Sequence, residues 1–339
     1  MRTIDGSDGG GQLLRTALTL SVLTETPVRI ESIRGSRPDP GLRPQHLAAV
    51  ELAADYCDAT VEGDVIDSET VTFRPGEARE PTLDASIPTA GSVTLLLDTV
   101  LPFALDSEEP ITVAVTGGTD VKWSPPAASL QRVKLPLLAR FGLDAEVELE
   151  RTGFYPAGGG KVTLRCRSSS LSPIELDDRG AFEDVWIHSK ASEDLADRDV
   201  ADRQAEQARQ RLHAAGITMR EPTVEYVETR STGSVILLRA EYERSLAGFD
   251  ELGEPGRTAE AVADRAVDAF RAFHYTDAAV DEHVADQLLV FLALVGGRVR
   301  IPGVTDHVET TLALLDRFDC DVRIDDRDDT SASIVASPL

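Results

Sequence analysis

One order of strands and helices recurs along this chain, and such a repeat constrains the fold more than any single motif. Residues 2–5 read as a strand, 10–24 as a helix and 27–33 as a strand, followed by a helix at about 44–56 and strands near 59–62 and 70–73. The order βαβαββ returns as strand 82–86, helix 90–105, strand 111–116, helix 126–141 and strands 144–150 and 161–166. Its second half returns once more, as helix 279–295, strand 298–301, helix 308–318 and strands 321–325 and 332–336. The helices carry apolar residues at helical spacing, such as Leu13, Ala17, Leu20 and Leu130, Val133, Leu137, so each has one face to bury. A unit of roughly 80 residues is too long for a solenoid repeat and suits a small α/β layer.

The third unit lacks its early part, and a segment of different character precedes what remains. It holds a charged helix over 194–216, alternating strands at 223–229 and 234–241, a Gly/Pro turn at 253–256 and a helix at 258–272. The expected fold class is α+β: three βαβαββ repeats form a core from 1–176 and 276–339, and 177–275 is a small inserted α/β domain.

Composition narrows the setting. Of 339 residues, 59 are acidic and 34 basic, a net charge of −25, and the only lysines are Lys122, Lys134, Lys161 and Lys190. A field of that sign repels phosphate backbones, which counts against non-specific nucleic-acid binding, and it suits a salt-rich cytoplasm where screening relieves the self-repulsion. No apolar run approaches the ~18 residues of a membrane span, and MRTIDG begins without a basic and then apolar leader. Cys57, Cys166 and Cys320 are scattered and odd in number, with neither a disulfide frame nor a zinc spacing. The expectation is a soluble, cytoplasmic protein without a membrane partner.

Four stretches have chemical content. In DGSDGGGQLLR, Gly9, Gly10 and Gly11 stand between a strand and a helix, where close backbone approach and free helix amides suit a phosphate or a plain tight turn. Arg34, Arg37 and Arg43, with Gln45 and His46 at a helix start, fall within IRGSRPDPGLRPQHL. Their planar forks suit phosphate, or ion pairs with Asp39 and its neighbours. In GVTDHVETTLALLDRF, Asp306 is the expected helix cap with Glu309 three residues on, and His307 the first helical residue, where helix amides would stabilise a phosphate on its ring. In VDEHVADQLLVFLALVGG, Val280, Val284, Leu288, Leu292 and Val295 share a buried face, with His283, Asp286 and Gln287 projecting from the first turns. A further cluster, GFYPAGGGKV, leads into a strand and fails the Walker A spacing; G-x-S-x-G, H-E-x-x-H and a K-x-D-G lysine are absent.

Taken together, DGSDGGGQLLR, RPDPGLRPQHL, TAGSVTLLL, GGTD, RTGFYPAGGGKV, DEHVADQLL and TDHVETTLALLDRF resemble the RNA 3′-terminal phosphate cyclase family, in order and across nearly the whole core. The charge makes it similar to a haloarchaeal-type member. The resemblance implies ATP as co-substrate, RNA 3′-phosphate ends as partner, and a divalent ion, Mg²⁺ or Mn²⁺. By position, His307 is the nucleophile that takes AMP. The AMP then passes to the RNA phosphate, and the 2′-OH closes a 2′,3′-cyclic phosphate. Asp98 and the run His283, Val284, Ala285, Asp286 and Gln287 belong to the ATP site, Arg15, Arg37, Arg43 and Gln45 to phosphates of ATP or RNA, and Asp8 to the metal. Three departures stand out: a shortened first loop with Asp8 where a glutamate is common, Asp98 for a glutamine, and His283 for a tyrosine beside the adenine. They motivate the alternative of a catalytically inactive RNA-binding protein of ribosome assembly, although such relatives lack the histidine retained here at His307.

Overall fold

A computed structural model describes residues 1–327 and 330–339. Three four-stranded sheets carry the repeat. The first contains β1 (Arg2–Asp5), β2 (Val28–Glu31), β3 (Thr60–Glu62) and β4 (Val71–Arg74) in the order β1-β2-β4-β3, with β1 and β2 parallel. The second contains β5 (Thr82–Ser86), β6 (Ile111–Gly117), β7 (Ala145–Arg151) and β8 (Gly160–Cys166), and its order β5-β6-β8-β7 is the same.

The third sheet is complete as well. Its first strand is β9 (Ile174–Leu176), parallel to β14 (Gly297–Ile301), with β15 (Val322–Arg327) and β16 (Ala332–Ala336) beyond, in the order β15-β16-β14-β9. The early part missing from the sequence reading is this three-residue strand, too short to show a period: only Ile174 and Leu176 are buried, between polar neighbours. A fourth sheet separates it from the rest of its unit. β10 (Phe182–Ser192), β11 (Thr223–Val227), β12 (Ser234–Tyr242) and β13 (Leu246–Leu252) run in the order β11-β10-β12-β13, with α6 (Val200–Ala214) and α7 (Ala259–His274) packed against them. The architecture is α+β, as the periodicity implies.

Each repeat places helices between its strands. The first has α1 (Gly10–Leu23) and α2 (Pro44–Cys57), and the second begins with α3 (Val93–Val100). The third has α8 (Glu282–Val295) and α9 (Asp306–Asp316). The apolar faces of all these helices meet one core that spans the three repeats. The helix expected over 126–141 is not uniform. It runs as α4 (Ala127–Ser129), a π turn over Leu130–Lys134, and α5 (Leu135–Ala139). Pro136 explains the break: it has no amide to donate and its ring crowds the carbonyl four residues back, so the turn widens. All three cysteines are buried thiols, and among the described residues no helix is long and apolar enough to cross a membrane.

Candidate active site

The first loop ends in an open helix. Gly9 caps α1 without a side-chain hydrogen bond, and no acidic residue stands in the first turn. The amides that an α-helix leaves unpaired at its start are therefore free to meet an anion. Two glycines let charged side chains crowd this turn. Gly10 has φ +55°, and a Cβ there would lie 3.7 Å from Arg37 Nη2. At Gly11 a Cβ would fall 2.4 Å from His46 Nε2 and 3.0 Å from Arg15 Nη1.

His46 is oriented by its own helix. The Arg43 backbone amide donates to His46 Nδ1 at 3.1 Å, which leaves Nε2 as the protonated nitrogen facing Gly11. Burial, with Arg15, Arg34 and Arg43 nearby, pushes the imidazole down to about 3, so it is a neutral donor. Burial also lowers Arg15 to about 10, and Asp98 opposes that shift. Arg15, Arg37 and His46 thus flank an uncapped helix start, the composition of a phosphate cradle.

Other expected phosphate contacts are engaged elsewhere. Arg43 pairs with Asp67 at 2.5 Å and Asp39 at 3.3 Å, the ion pairing that the local sequence also allowed. Gln45 Oε1 accepts the Ser92 amide at 3.3 Å and so ties α2 to the start of α3.

α9 comes to the cradle from the third repeat. Thr305 is its cap, accepting the Val308 amide at 3.2 Å. This corrects the expectation that Asp306 caps the helix: Thr305 holds extended backbone dihedrals, so Asp306 is the first helical residue and His307 the second. His307 is exposed. One turn on, Thr311 Oγ1 accepts from Gln12 Nε2 at 3.0 Å, in the first turn of α1. Positions four apart share a helix face, so His307 stands on the α9 face that meets the uncapped end of α1.

α8 provides a third helix start. Asp281, buried, caps it by accepting the His283 and Val284 amides at 3.0 and 2.9 Å, and its second oxygen accepts the Gly248 amide at 2.9 Å. Asp286, one turn inside α8, takes a long hydrogen bond from the Thr305 hydroxyl at 3.4 Å. Burial raises its carboxyl to about 6, opposed by His307, His283 and that hydroxyl. The carboxylate and the candidate nucleophile therefore belong to one electrostatic unit.

Between α3, the π turn, β13 and α8 lies a narrow cleft open to solvent. Thr94, Asp98, Pro125, Leu130, Val133, Lys134, His283, Val284 and Gln287 line it, with Asp250 and Ser129 at one wall. Apolar Pro125, Leu130, Val133 and Val284 stand there beside polar and charged side chains, a mixture that suits a ligand with both an apolar face and hydrogen-bonding groups. Asp98 does not stand there as a bare negative charge. Lys134 Nζ donates to its Oδ1 at 2.7 Å, and this lysine is 3% exposed. Sequence reasoning missed Lys134, although a rare lysine inside an apolar helical stripe was the available signal. It also missed Asp250, whose carboxyl accepts from Ser129 Oγ at 3.3 Å and is raised to about 7, chiefly by burial.

A resident metal finds little here. Asp8 is exposed at the rim of the first loop, and among the described residues no group of three or more His, Cys, Asp or Glu side chains could hold an ion. These residues do not by themselves make a divalent site, and no step below is drawn through one.

Fold and site define a repeat-built α+β protein in which three helix starts converge beside a narrow cleft. The sequence profile of RNA 3′-terminal phosphate cyclase matches residues 7–324. Relatives bearing that same name are 45% identical in Halobacterium salinarum (99% of this chain, all of the relative), 39% in Ectopseudomonas mendocina (93% and 92%) and 38% in Pyrococcus furiosus (94% and 93%). The chain belongs to the RNA 3′-terminal phosphate cyclase family.

Proposed function

We propose that this protein is an ATP-dependent ligase that converts an RNA 3′-phosphate to a 2′,3′-cyclic phosphate through a histidine–AMP intermediate. The observation that carries the reading is the placement of His307, exposed on the α9 face that meets the uncapped start of α1 through Gln12 and Thr311. A nitrogen of His307 attacks the α-phosphorus of ATP; the P–N bond forms and the bond to the β-phosphate oxygen breaks, releasing pyrophosphate. An oxygen of the RNA 3′-phosphate then displaces the ring and takes AMP. The neighbouring 2′-OH attacks the 3′-phosphorus, loses its proton and expels AMP. This last step is fast because both groups are held on one ribose.

His283, Val284 and Gln287 stand at the cleft that would hold the base, with Ala285 buried in the core behind them, while Arg15 and Arg37, with the free amides of α1, would hold phosphates of ATP or RNA. Gln45 positions Ser92 in this reading, and Arg43 joins the phosphates only by leaving its two carboxylates. A divalent ion, Mg²⁺ or Mn²⁺, would come with the ATP and neutralise its triphosphate charge, with Asp8 as the first-loop carboxylate offered to it. The charge of −25 fits action in a salt-rich cytoplasm on single RNA ends rather than long tracts of backbone. Lys134 offsets the charge of Asp98, which removes one motive for the inactive alternative.

Incubation with α-labelled ATP should leave AMP on the protein through an acid-labile, base-stable bond. Equal labelling of His307→Ala would overturn the mechanism.

A further inference from the structure

Trp123 is 95% exposed and Tyr155 70%, in a chain with only two tryptophans and five tyrosines. Both rings leave the second repeat at one place, because Asp120 and Phe154 form a parallel bridge between the two loops that carry them. Each loop is anchored from below. Asp120 is wholly buried against Lys190 at 2.9 Å, and Phe154 is 3% exposed. Trp123 also holds φ +63°, an unfavourable backbone region for a bulky side chain. A buried anchor thus holds an indole in solvent at an unfavourable backbone position.

The surroundings indicate what covers these rings. Pro125, two residues after Trp123, lines the cleft, so the platform continues the candidate active site. The Arg230 guanidinium lies against Gly159 of the Tyr155 loop, where an added Cβ would come within 2.9 Å of Nη1. A net charge of −25 counts against a broad basic groove. A strand of nucleic acid must then be gripped mainly by stacking, which every base offers and salt does not screen.

We propose that Trp123 and Tyr155 form a stacking platform for the bases just upstream of the RNA 3′-phosphate, with Arg230 beside their backbone. This inference rests on the cyclase reading for its substrate.

The test uses a 3′-phosphorylated oligoribonucleotide of about ten residues, and the same strand made abasic just upstream of its 3′ end. Trp123→Ala or Tyr155→Ala should raise the KM for the intact strand roughly tenfold, while the KM for ATP and the labelling of His307 stay unchanged. The abasic strand should show that same penalty with the parent protein and little more with the variants. Trp123→Phe should recover most of the affinity. An unchanged KM for RNA, or an equal rise in the KM for ATP, would overturn the platform. Quenching of tryptophan fluorescence by the intact strand, lost in Trp123→Ala, reads stacking without turnover. A parent protein that fails to label at His307 would therefore count against the cyclase reading, and absent quenching against the platform.

Discussion

Lys134 Nζ donates to Asp98 Oδ1 at 2.7 Å from a nearly inaccessible position under the cleft. Removing only the lysine leaves the Asp98 carboxylate without its ion-pair partner. Lys134→Met should lower unfolding free energy by about 3 kcal/mol, and the double variant Lys134→Met, Asp98→Asn should regain about half. Urea titration of the four proteins of this cycle checks both numbers. A fully additive result would mean the pair is not coupled.

Gly11 is the second place where one atom decides the outcome. A methyl there would meet His46 Nε2 at 2.4 Å, between the ring and the start of α1. Gly11→Ala should slow AMP labelling tenfold or more, about 1.4 kcal/mol in the barrier, and cost about 1–3 kcal/mol of stability because the buried His46 ring must shift. Labelling rates read beside urea midpoints separate the two effects.

Asp286 links activity and stability with opposite signs. Its carboxyl is raised to about 6, so its contribution to stability is complete below the unfolded value of 3.8 and is lost as pH rises through 6. Asp286→Asn should therefore be about 1–2 kcal/mol more stable than the parent at pH 8. If the ionised carboxylate orients His307, the parent's labelling rate rises with pH through about 6, and the variant is slower and lacks that limb. A pH–rate profile beside thermal unfolding distinguishes this role from a purely structural one.

Two buried histidines oppose folding on the acid side. His46 is lowered to about 3 and His188 to about 4, burial being the main cause for both. Each takes a proton on unfolding but not in the fold once pH drops below about 6.5, so each removes up to about 1.4 kcal/mol of stability per pH unit from there toward 4, while the raised carboxyls of Asp286 and Asp250 contribute with the opposite sign over the same range. Replacing His188 by Gln should therefore raise stability in acid relative to the parent, by up to about 1.4 kcal/mol for each pH unit between 6.5 and 4. Chemical denaturation across this range gives the slope directly.

Much of the architecture is written in hydrophobic period. The strands and helices of the first two repeats lie close to where alternation and helical spacing place them, because most of these elements bury one face, as β6 does in strict alternation. The failures are elements whose cause is not periodic. β9 has three residues; β10 and β13 carry near-continuous buried runs that no alternation marks. The π turn follows from Pro136, and the α9 cap moved by one residue because Thr305, not Asp306, takes the extended conformation.

The candidate site divides in a similar way. Its residue types were legible: a glycine loop before a helix, arginines in an acidic chain, a histidine at a helix start. Their partners were not. Arg37 and Arg43 read alike in sequence, yet one lies over the α1 turn and the other faces Asp39 and Asp67.

The sequence by itself determined the repeated βαβαββ order, the acidic surface and the chemical groups offered at each loop, since these depend on local period and composition. Tertiary structure alone decided which charges remain available and which helix starts converge. Those outcomes hang on contacts such as Gln12 with Thr311, 299 residues apart, and Lys134 with Asp98, 36 apart. Proximity of that kind comes from packing three repeats on a shared core, and no local pattern encodes it.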